Sequence, residues 1–297
     1  MKHLWKRWYA KIGIMFVAVA IIATTIIPFA GCASETKEIT LGTALWDYDL
    51  MTNLVVKYAL EDKGYEVTLK EINDMGIMFA AVDGGDIDLY AQAWLPTVHA
   101  SYMENVTNVL TGGNLMGQVN PYKWAIPTWV SEEYNIKSIT DLKGNGDIFD
   151  GVITGLEEGT GGTIVSREAL TAYGLEDDLE YVASSIAAMI AEVYASSKID
   201  KPVIAMLWRP NPIFTRLDLT FLEDPLNTFG GDTVQWAMNS TFHDENPEIV
   251  TFMNNFLFPT SEVELLMVRI EEAGETEADL AREWYEAHKA EIDSWWD

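Results

Sequence analysis

Cysteine is nearly absent from this chain, since Cys32 is the only one in 297 residues. Without a second thiol, the chain can form neither an intramolecular disulfide nor a cysteine-rich metal site. It also lacks the Gly-x-Ser-x-Gly of a nucleophile elbow and the His-Glu-x-x-His of zinc hydrolases. An exported α/β enzyme such as an esterase would need one of these. The sequence therefore predicts no catalytic residue, no cofactor and no metal, and a protein that is not an enzyme.

Basic residues are scarce as well. The chain has 19 Lys and Arg against 46 Asp and Glu, a formal net charge of −27. So strong a negative charge argues against nucleic acid and against anionic membrane surfaces as partners. It favours cationic or zwitterionic small ligands only modestly, because salt screens surface charge. A solvated acidic surface is the simplest interpretation.

The first residues are unlike the rest of the chain. They hold four bases and no acid before an apolar run from Ile12 to Ala30, which ends in Phe29-Ala30-Gly31-Cys32. This order is typical of a secretory signal with a lipoprotein-type cleavage site. We predict a signal peptide over residues 1–31, cleavage before Cys32 and a lipid on its sulfur. Residues 32–37 are then a tether, and the protein is extracytoplasmic, anchored by lipid to the outer face of the cell membrane.

An uncleaved transmembrane anchor is the alternative interpretation of this segment. The apolar run has about 19 residues, which is just enough to span a bilayer. Thr24, Thr25 and Pro28 weaken it as a permanent helix. The small residues before Cys32 favour processing, and under either interpretation the bulk of the chain faces outward.

From Glu38 onward the pattern alternates between strands and helices. Strands are predicted over residues 38–44, 65–70 and 86–91, with helices from Asp47 or Asp49 to about Asp62 and over residues 75–82. Such alternation predicts a mostly parallel sheet and an α/β fold.

A second unit follows a strand predicted over residues 124–130. Strands are expected at 152–154 and 202–207, helices at 163–173 and 184–197, and a returning strand at 234–238. A chain that leaves one α/β lobe, builds another and returns forms a two-lobed clamshell. We assign residues 38–123 and 236–297 to the first lobe and residues 124–235 to the second, with crossing strands as the hinge.

Three of the eleven tryptophans stand where predicted strands end: Trp46, Trp94 and Trp208. Ligands of open α/β sheets lie outside the carboxyl ends of the strands. A quaternary ammonium has no N–H to donate, so a protein holds it by cation–π attraction and shape. The three rings therefore predict a receptor for a methylated ammonium solute. For any single tryptophan, packing in a core is the simpler alternative.

A glycine loop and a histidine supply a complementary hypothesis. Gly159-Thr160-Gly161-Gly162 follows a predicted strand and opens a helix, where backbone N–H groups attract anions. No Gly-Lys-Ser/Thr follows, so the loop is not a P-loop. His99 lies five residues after Trp94 and can donate a hydrogen bond to a carboxylate. Each signal alone has a structural alternative, but together they suit a zwitterion.

These residues resemble those of the glycine betaine and proline betaine binding proteins of bacterial ABC transporters, especially the lipoprotein type of Gram-positive bacteria and archaea. The resemblance spans nearly all of residues 38–293. Its motifs are Trp46-Asp47, Asp86-Ile87-Asp88, Ala93-Trp94-Leu95-Pro96-Thr97-Val98-His99, Gly155-Leu156-Glu157-Glu158-Gly159-Thr160-Gly161, Trp208-Arg209-Pro210 and Leu222-Glu223-Asp224-Pro225.

The resemblance implies a type II-like periplasmic-binding-protein clamshell. In it, Trp46, Trp94 and Trp208 form a cage for the ammonium, while His99 and the backbone N–H groups of Gly161 and Gly162 hold the carboxylate. The ligand then bridges the two lobes and stabilises the closed state. A membrane permease and, through it, a separate ATPase subunit are the implied partners, since no nucleotide motif occurs here.

Three departures from the family pattern bear on the preferred ligand. Glu157-Glu158 stands where Asp-Pro or a similar pair is common, Gly162 replaces a bulkier residue, and Arg209 stands where Thr or Lys is common. Choline or carnitine is therefore an alternative to the betaines, although choline has no carboxylate to satisfy the glycine amides and His99. A ligand-sensing lipoprotein that is not coupled to transport is a further alternative, because its binding chemistry would be the same.

Overall fold

The computed structural model describes residues 37–297 apart from Gln118. The predicted signal peptide, Cys32 and most of the tether lie outside the described residues. Ten strands are present: β1 (Glu38–Thr43), β2 (Glu66–Glu71), β3 (Leu89–Leu95), β4 (Val109–Gly112), β5 (Asn120–Pro127), β6 (Val152–Gly155), β7 (Glu180–Ala183), β8 (Ile204–Arg209), β9 (Leu219–Phe221) and β10 (Thr233–Asn239).

Twelve α-helices join and cover these strands in the described part of the chain. They are α1 (Asp47–Asp62), α2 (Met75–Gly84), α3 (Ala100–Met103), α4 (Thr128–Tyr134), α5 (Gly161–Tyr173), α6 (Ile186–Ser197), α7 (Ile213–Arg216), α8 (Ser240–Glu245), α9 (Pro247–Asn255), α10 (Thr260–Ala273), α11 (Glu277–Ala287) and α12 (Lys289–Ser294). Short 3-10 turns occupy Ile139–Leu142 and Gly146–Phe149. Within residues 37–297, no helix has the length and apolar character needed to cross a membrane.

The first sheet has the strand order β2-β1-β3-β10-β4. Strand β1 is parallel to β2 and β3, whereas β10 is antiparallel to β3 and β4. Residues from both ends of the described chain therefore build this sheet, with Val234 of β10 opposite Trp94 of β3.

The second sheet has the order β7-β6-β8-β5-β9 and comes from one continuous segment. Strand β6 is parallel to β7 and β8, and β5 is antiparallel to β8 and β9. The chain crosses between the sheets twice, once between β4 and β5 and once between β9 and β10. Parallel strands whose carboxyl ends face the crossover are where α/β folds hold ligands.

Each sheet buries its own hydrophobic core. The first core lies between the first sheet, α1 and the C-terminal helices, and it includes Leu41, Val55, Phe252 and Leu280. The second core surrounds Trp124, Ile153 and Leu207 under the second sheet. A smaller cluster under α2 completes the first lobe. Two separate cores make two lobes, each stabilised by its own burial of apolar surface.

Two predicted strands are displaced. The third strand is Leu89–Leu95 and not 86–91, because Gly85 ends α2 with positive φ and Asp88 accepts a hydrogen bond from the Thr40 N–H (2.7 Å) in the turn before the strand. The strand predicted over residues 124–130 is β5, and it ends at Pro127 where α4 begins.

The chain passes from one sheet to the other within a few residues of the predicted lobe boundaries. Strand β5 joins the second sheet from Asn120, four residues before the predicted start of that lobe, and β10 joins the first sheet from Thr233, three residues before the predicted return. The exact limits of the two lobes stay predictions.

Candidate functional site

A cavity of about 310 Å³ lies between the two lobes at the carboxyl ends of their strands. Its lining residues are Trp46, Tyr48, Asp49, Met75, Tyr90, Trp94, Thr97, Val98, His99, Tyr102, Tyr122, Leu156, Gly161, Val165, Ile186, Trp208 and Phe229. The volume is at the lower end of the range for small-molecule sites, and the lining is mostly aromatic and apolar with a few polar groups.

All three predicted cage tryptophans line this cavity. Trp46 is the N-cap of α1 and is 47% exposed, whereas Trp94 lies in β3 and is only 7% exposed. Trp208 lies in β8 and is partly buried against the second core. Trp46 and Trp94 therefore come from the first lobe and Trp208 from the second, each at or just beyond a strand end.

Two tyrosines that sequence reasoning missed extend the aromatic lining. The Tyr48 ring stacks on Trp46 with a centroid distance of 6.2 Å and meets Trp94 edge-on at 6.1 Å. On the other lobe, Tyr122 meets Trp208 edge-on at 6.1 Å. Tyr48 follows Trp46 by two residues, which is a weak signal, and Tyr122 stands in β5 with no motif around it. These contacts hold the tryptophan rings in defined orientations.

His99 is a buried, neutral hydrogen-bond donor. Its Nδ1 accepts the Trp94 N–H at 3.0 Å, so its own proton lies on Nε2. Burial lowers the pKa of His99 from 6.5 to about 4, and only 7% of the residue is exposed. The imidazole therefore stays neutral at pH 7, and the residue is part of the cavity lining.

The turn that carries His99 is fixed from the other end of the chain. The carboxylate of Asp232 accepts the N–H groups of Thr97 (2.6 Å) and Val98 (2.8 Å). Asp232 stands directly before β10 and is 6% exposed. Sequence reasoning missed this residue, because nothing local to it points to a partner 135 positions away.

The glycine loop opens α5 and presents free amides. Thr160 caps the helix, since its side chain accepts the Thr163 N–H and its carbonyl accepts the Ile164 N–H. The N–H groups of Gly161 and Gly162 precede these and have no intrahelical acceptor. Gly161 lines the cavity, whereas the Gly162 Cα does not and packs so closely that an added Cβ would lie 2.8 Å from Leu156.

Asp49 is an acid in the cavity lining that sequence reasoning considered only as a helix cap. Its Oδ1 accepts hydrogen bonds from Thr43 Oγ1, Ala44 N and Asn53 Nδ2, and its Oδ2 accepts one from Tyr90 OH. Only 1% of the residue is exposed, and burial raises the pKa of Asp49 from 3.8 to about 6. The hydrogen bonds lower this pKa but do not fully offset the loss of solvent.

An ion pair that is buried on its glutamate side joins the lobes next to Trp208. Glu264 of α10, packed in the first lobe, accepts two hydrogen bonds from Arg209, at 2.9 Å from Nε and 2.8 Å from Nη2. It also accepts the N–H of Asn211 at 3.1 Å. Glu264 is 1% exposed, so the strand end that carries Trp208 is held by a carboxylate of the other lobe.

The geometry agrees with what similarity to known proteins shows. Residues 37–287 match the family described as the substrate-binding domain of the ABC-type glycine betaine transport system. The chain belongs to this family. Its members are substrate-binding proteins of transporters and not enzymes, and they act outside the cytoplasm together with ABC transporter components. In the described residues, no cluster of three or more metal-ligating side chains occurs.

Individual relatives cover the chain to different extents. The glycine betaine/carnitine transport binding protein of Listeria monocytogenes is 26% identical over 154 residues, which are 51% of this chain and 51% of that protein. The glycine betaine-binding periplasmic protein of Dickeya dadantii is 24% identical over 280 residues, 82% of this chain and 83% of that protein.

Solved structures share the fold over most of the chain. A glycine betaine/L-proline-binding protein of Borrelia burgdorferi has a TM-score of 0.70 at 27% identity and covers 87% of this chain and 96% of its own. The closed, glycine betaine-bound lactococcal protein has a TM-score of 0.71 at 26% identity, over 88% and 100% of the two chains. The fold is thus the periplasmic-binding-protein clamshell that the sequence predicted.

Proposed function

We propose that this chain is the extracytoplasmic substrate-binding component of an ABC importer for quaternary ammonium osmoprotectants, with glycine betaine or proline betaine as the first candidates. The observation that carries the proposal is the meeting of Trp46, Trp94 and Trp208 on one cavity between two lobes. Relatives whose names state glycine betaine binding support the same ligand class.

The aromatic cage suits a methylated ammonium. Its positive charge is spread over methyl groups, which need no hydrogen-bond acceptor and pack well against ring faces. Tyr48 and Tyr122 brace the rings, so little ordering is left to be done when the ligand binds.

The carboxylate of a betaine would be held by the remaining predicted residues. The amides of Gly161 and Gly162 stand at the positive end of the α5 dipole, and His99, whose free donor is Nε2–H, lines the cavity from the other lobe. A zwitterion would then satisfy donors on both lobes and its ammonium would meet tryptophans of both. Binding would therefore stabilise the closed clamshell, which is the form a permease can distinguish.

Membrane attachment belongs to the same proposal. A lipid on Cys32 would keep the receptor at the outer face of the membrane beside its permease, and the ATPase would be a separate subunit. Mass spectrometry of the membrane fraction tests this part. A mature N-terminus at Cys32 carrying a lipid supports it, whereas an N-terminus upstream of Cys32 contradicts it.

Choline and carnitine remain the rival ligands within this class. The relative from Listeria monocytogenes is named for carnitine as well as glycine betaine. The buried carboxylate of Asp49 in the cavity lining favours a ligand with net positive charge, such as choline, more than the tryptophans alone would. A ligand-sensing lipoprotein would use the same site, and permease and ATPase genes beside this one would argue against it.

The test is calorimetric titration of residues 33–297 with glycine betaine, proline betaine, carnitine and choline. We expect micromolar binding of a betaine. Trp94→Ala should weaken it at least about thirtyfold, because a desolvated cation–π contact contributes about 2 kcal/mol. Trp129→Ala is the control, since Trp129 is a partly buried tryptophan that lies outside the cavity lining.

Three results would change the proposal. Equal affinity for choline and betaine would show that His99, Gly161 and Gly162 do not hold a carboxylate, while the proposed role of the tryptophan cage would stand. Equal losses of betaine affinity in Trp94→Ala and Trp129→Ala would show that both substitutions act through protein stability and not through a contact with the ligand. Binding of none of the four compounds would contradict the proposed ligand class altogether.

A further inference from the structure

Asp49 differs in kind from the other cavity residues. Among the described lining residues it is the one acid, and neither Lys nor Arg lines the cavity with it. It follows Tyr48, whose ring contacts both Trp46 and Trp94. A carboxyl group is therefore buried beside the proposed cage without a basic side chain to neutralise it.

Two protonation states of Asp49 are both accessible here. Four donors surround the carboxylate: Thr43 Oγ1 at 3.0 Å, Ala44 N at 2.8 Å, Asn53 Nδ2 at 2.9 Å and Tyr90 OH at 2.8 Å. They make the ionised form tolerable despite its burial. Burial acts in the other direction and raises the pKa of Asp49 to about 6, so a nearby cation can decide which form is present.

We propose that Asp49 sets the preference of this site between net-cationic and zwitterionic methylammonium ligands, and that its ionisation is coupled to binding of the cationic ones. The inference rests on the proposed function. Choline carries a net charge of +1, whereas a betaine at neutral pH carries none. A buried negative charge therefore stabilises choline relative to betaine whichever way the betaine lies in the cavity.

The coupling has a definite sign. Choline favours the ionised carboxylate, so it lowers the pKa of Asp49 and releases a proton when it binds near pH 6. Its affinity rises with pH between 5 and 7 for the same reason. A betaine presents its carboxylate as well as its ammonium, which leaves the protonation of Asp49 and the pH dependence of binding much less changed.

Burial moves the pKa of four neighbouring ionisable groups away from this range. Tyr48 on α1 and Tyr90 on β3 have pKa values that burial raises well above 10, and burial raises that of Tyr122 on the opposite lobe as well. His99, beyond β3, has its pKa lowered to about 4. Asp47 on α1 has a raised pKa through burial and the charges of Glu277 and Glu271, but it lies outside the cavity lining.

The experiment compares choline and glycine betaine affinities at pH 5, 6 and 7 in the wild type and in Asp49→Asn. If choline lowers the Asp49 pKa by about one unit, the wild-type affinity for choline rises about fivefold from pH 5 to pH 7. Asp49→Asn should weaken choline about tenfold at pH 7, remove this pH dependence and change betaine affinity by less than about twofold.

Two further variants separate charge from structure. Asp88→Asn is the control, because Asp88 is a partly buried acid that, like Asp49, has a pKa raised by burial and accepts a backbone N–H, but it lies at the amino end of the same sheet. It should leave the choline-to-betaine ratio unchanged. Tyr90→Phe removes a hydrogen bond that lowers the Asp49 pKa, so the pH midpoint for choline binding should move upward.

Titration of choline near pH 6 in buffers of different ionisation enthalpy measures the released proton directly. Release in the wild type that is lost in Asp49→Asn supports the inference. If both ligands bind but their ratio and proton count are the same in wild type and Asp49→Asn, the inference is wrong while the proposed function stands. If neither ligand binds the folded wild type, and proline betaine and carnitine do not bind either, the proposed function itself has failed.

Discussion

His99 shows how one backbone contact decides what a side chain can do. Because the Trp94 N–H occupies Nδ1, the ring cannot present an acceptor on that side, and its Nε2–H is left as a donor for a ligand oxygen. Protonation would cost this backbone hydrogen bond and place a charge in a buried site. The histidine is therefore a fixed neutral donor and not a pH switch near neutrality.

The lowered pKa of His99 predicts a loss of stability in acid. The unfolded histidine takes up its proton near pH 6.5, whereas the folded one holds out to about pH 4, so acid favours the unfolded state between these values. From pH 7 to pH 4.5, the wild type should lose about 2 kcal/mol more unfolding free energy than His99→Gln.

Urea unfolding at both pH values measures this difference. The comparison with His99→Gln is needed because Asp49 acts oppositely: its folded pKa lies above its unfolded one, so the stability it contributes appears as pH falls below about 6. Equal pH dependence in the wild type and His99→Gln would show that the imidazole is not buried as described.

At the scale of elements, the start of α5 affects both the stability of the helix and the proposed carboxylate site. Thr160 Oγ1 accepts the Thr163 N–H at 3.3 Å and donates to the Glu157 carbonyl at 3.0 Å. It thereby ties the glycine loop to the start of the helix, where Gly161 lines the cavity. The same side chain stabilises the helix and orients the proposed carboxylate site.

Thr160→Ala should therefore lower the unfolding free energy by about 1 kcal/mol and weaken betaine several-fold, with choline less affected because it has no carboxylate. Thr160→Ser should behave as the wild type. Thr276→Ala is the control, since Thr276 caps α11 by accepting the Asp279 N–H and is not part of the cavity lining.

Calorimetry and thermal unfolding on these variants distinguish the two effects. The control should lose stability and keep both affinities. If the Thr160→Ala protein loses stability but binds betaine normally, the glycine loop does not hold the carboxylate of the ligand.

The sequence predicted the elements better than their contacts. Apolar periodicity and turn residues located α1, α5 and the strands β1 and β8, because those signals are local. It placed the third strand too early, since Asp86-Ile87-Asp88 reads as strand until the Asp88–Thr40 contact is known. Tyr48, Tyr122, Asp232 and the burial of Asp49 depend on partners distant in the chain, which a local pattern does not encode.

At the scale of the whole molecule, α10 links the lobes electrostatically. Glu264 holds Arg209 beside Trp208, and Glu271 and Glu272 contact Arg216 on α7 of the second lobe. The first contact is buried on the glutamate side, so salt screens it less than the second. We expect this contact to favour the arrangement in which the tryptophans of both lobes meet.

Glu264→Gln should shift the ligand-free protein toward more open forms and weaken ligand binding about tenfold. The reason is that the buried carboxylate of Glu264, which pairs with Arg209, loses its charge. Small-angle scattering gives the first quantity as an increase in radius of gyration, and calorimetry gives the second. Glu262→Gln is the control, since Glu262 stands on the same helix but pairs with Trp284 inside the first lobe.

The double variant Arg209→Met with Glu264→Leu removes both charges and should recover part of the lost affinity. No change in scattering for Glu264→Gln, together with unchanged affinity, would show that this ion pair does not stabilise the closed form.

Strand order also constrains how the molecule is made. Strand β10 lies inside the first sheet, between β3 and β4, yet it is the last of the described strands to be synthesised. The second lobe, in contrast, is complete in sequence once Phe229, which follows β9 and packs in the second core, has emerged. During vectorial emergence from a ribosome or a translocation channel, the second lobe can fold while the first is still missing an interior strand. The cavity between the lobes therefore forms late, and it is incomplete until β10 is free.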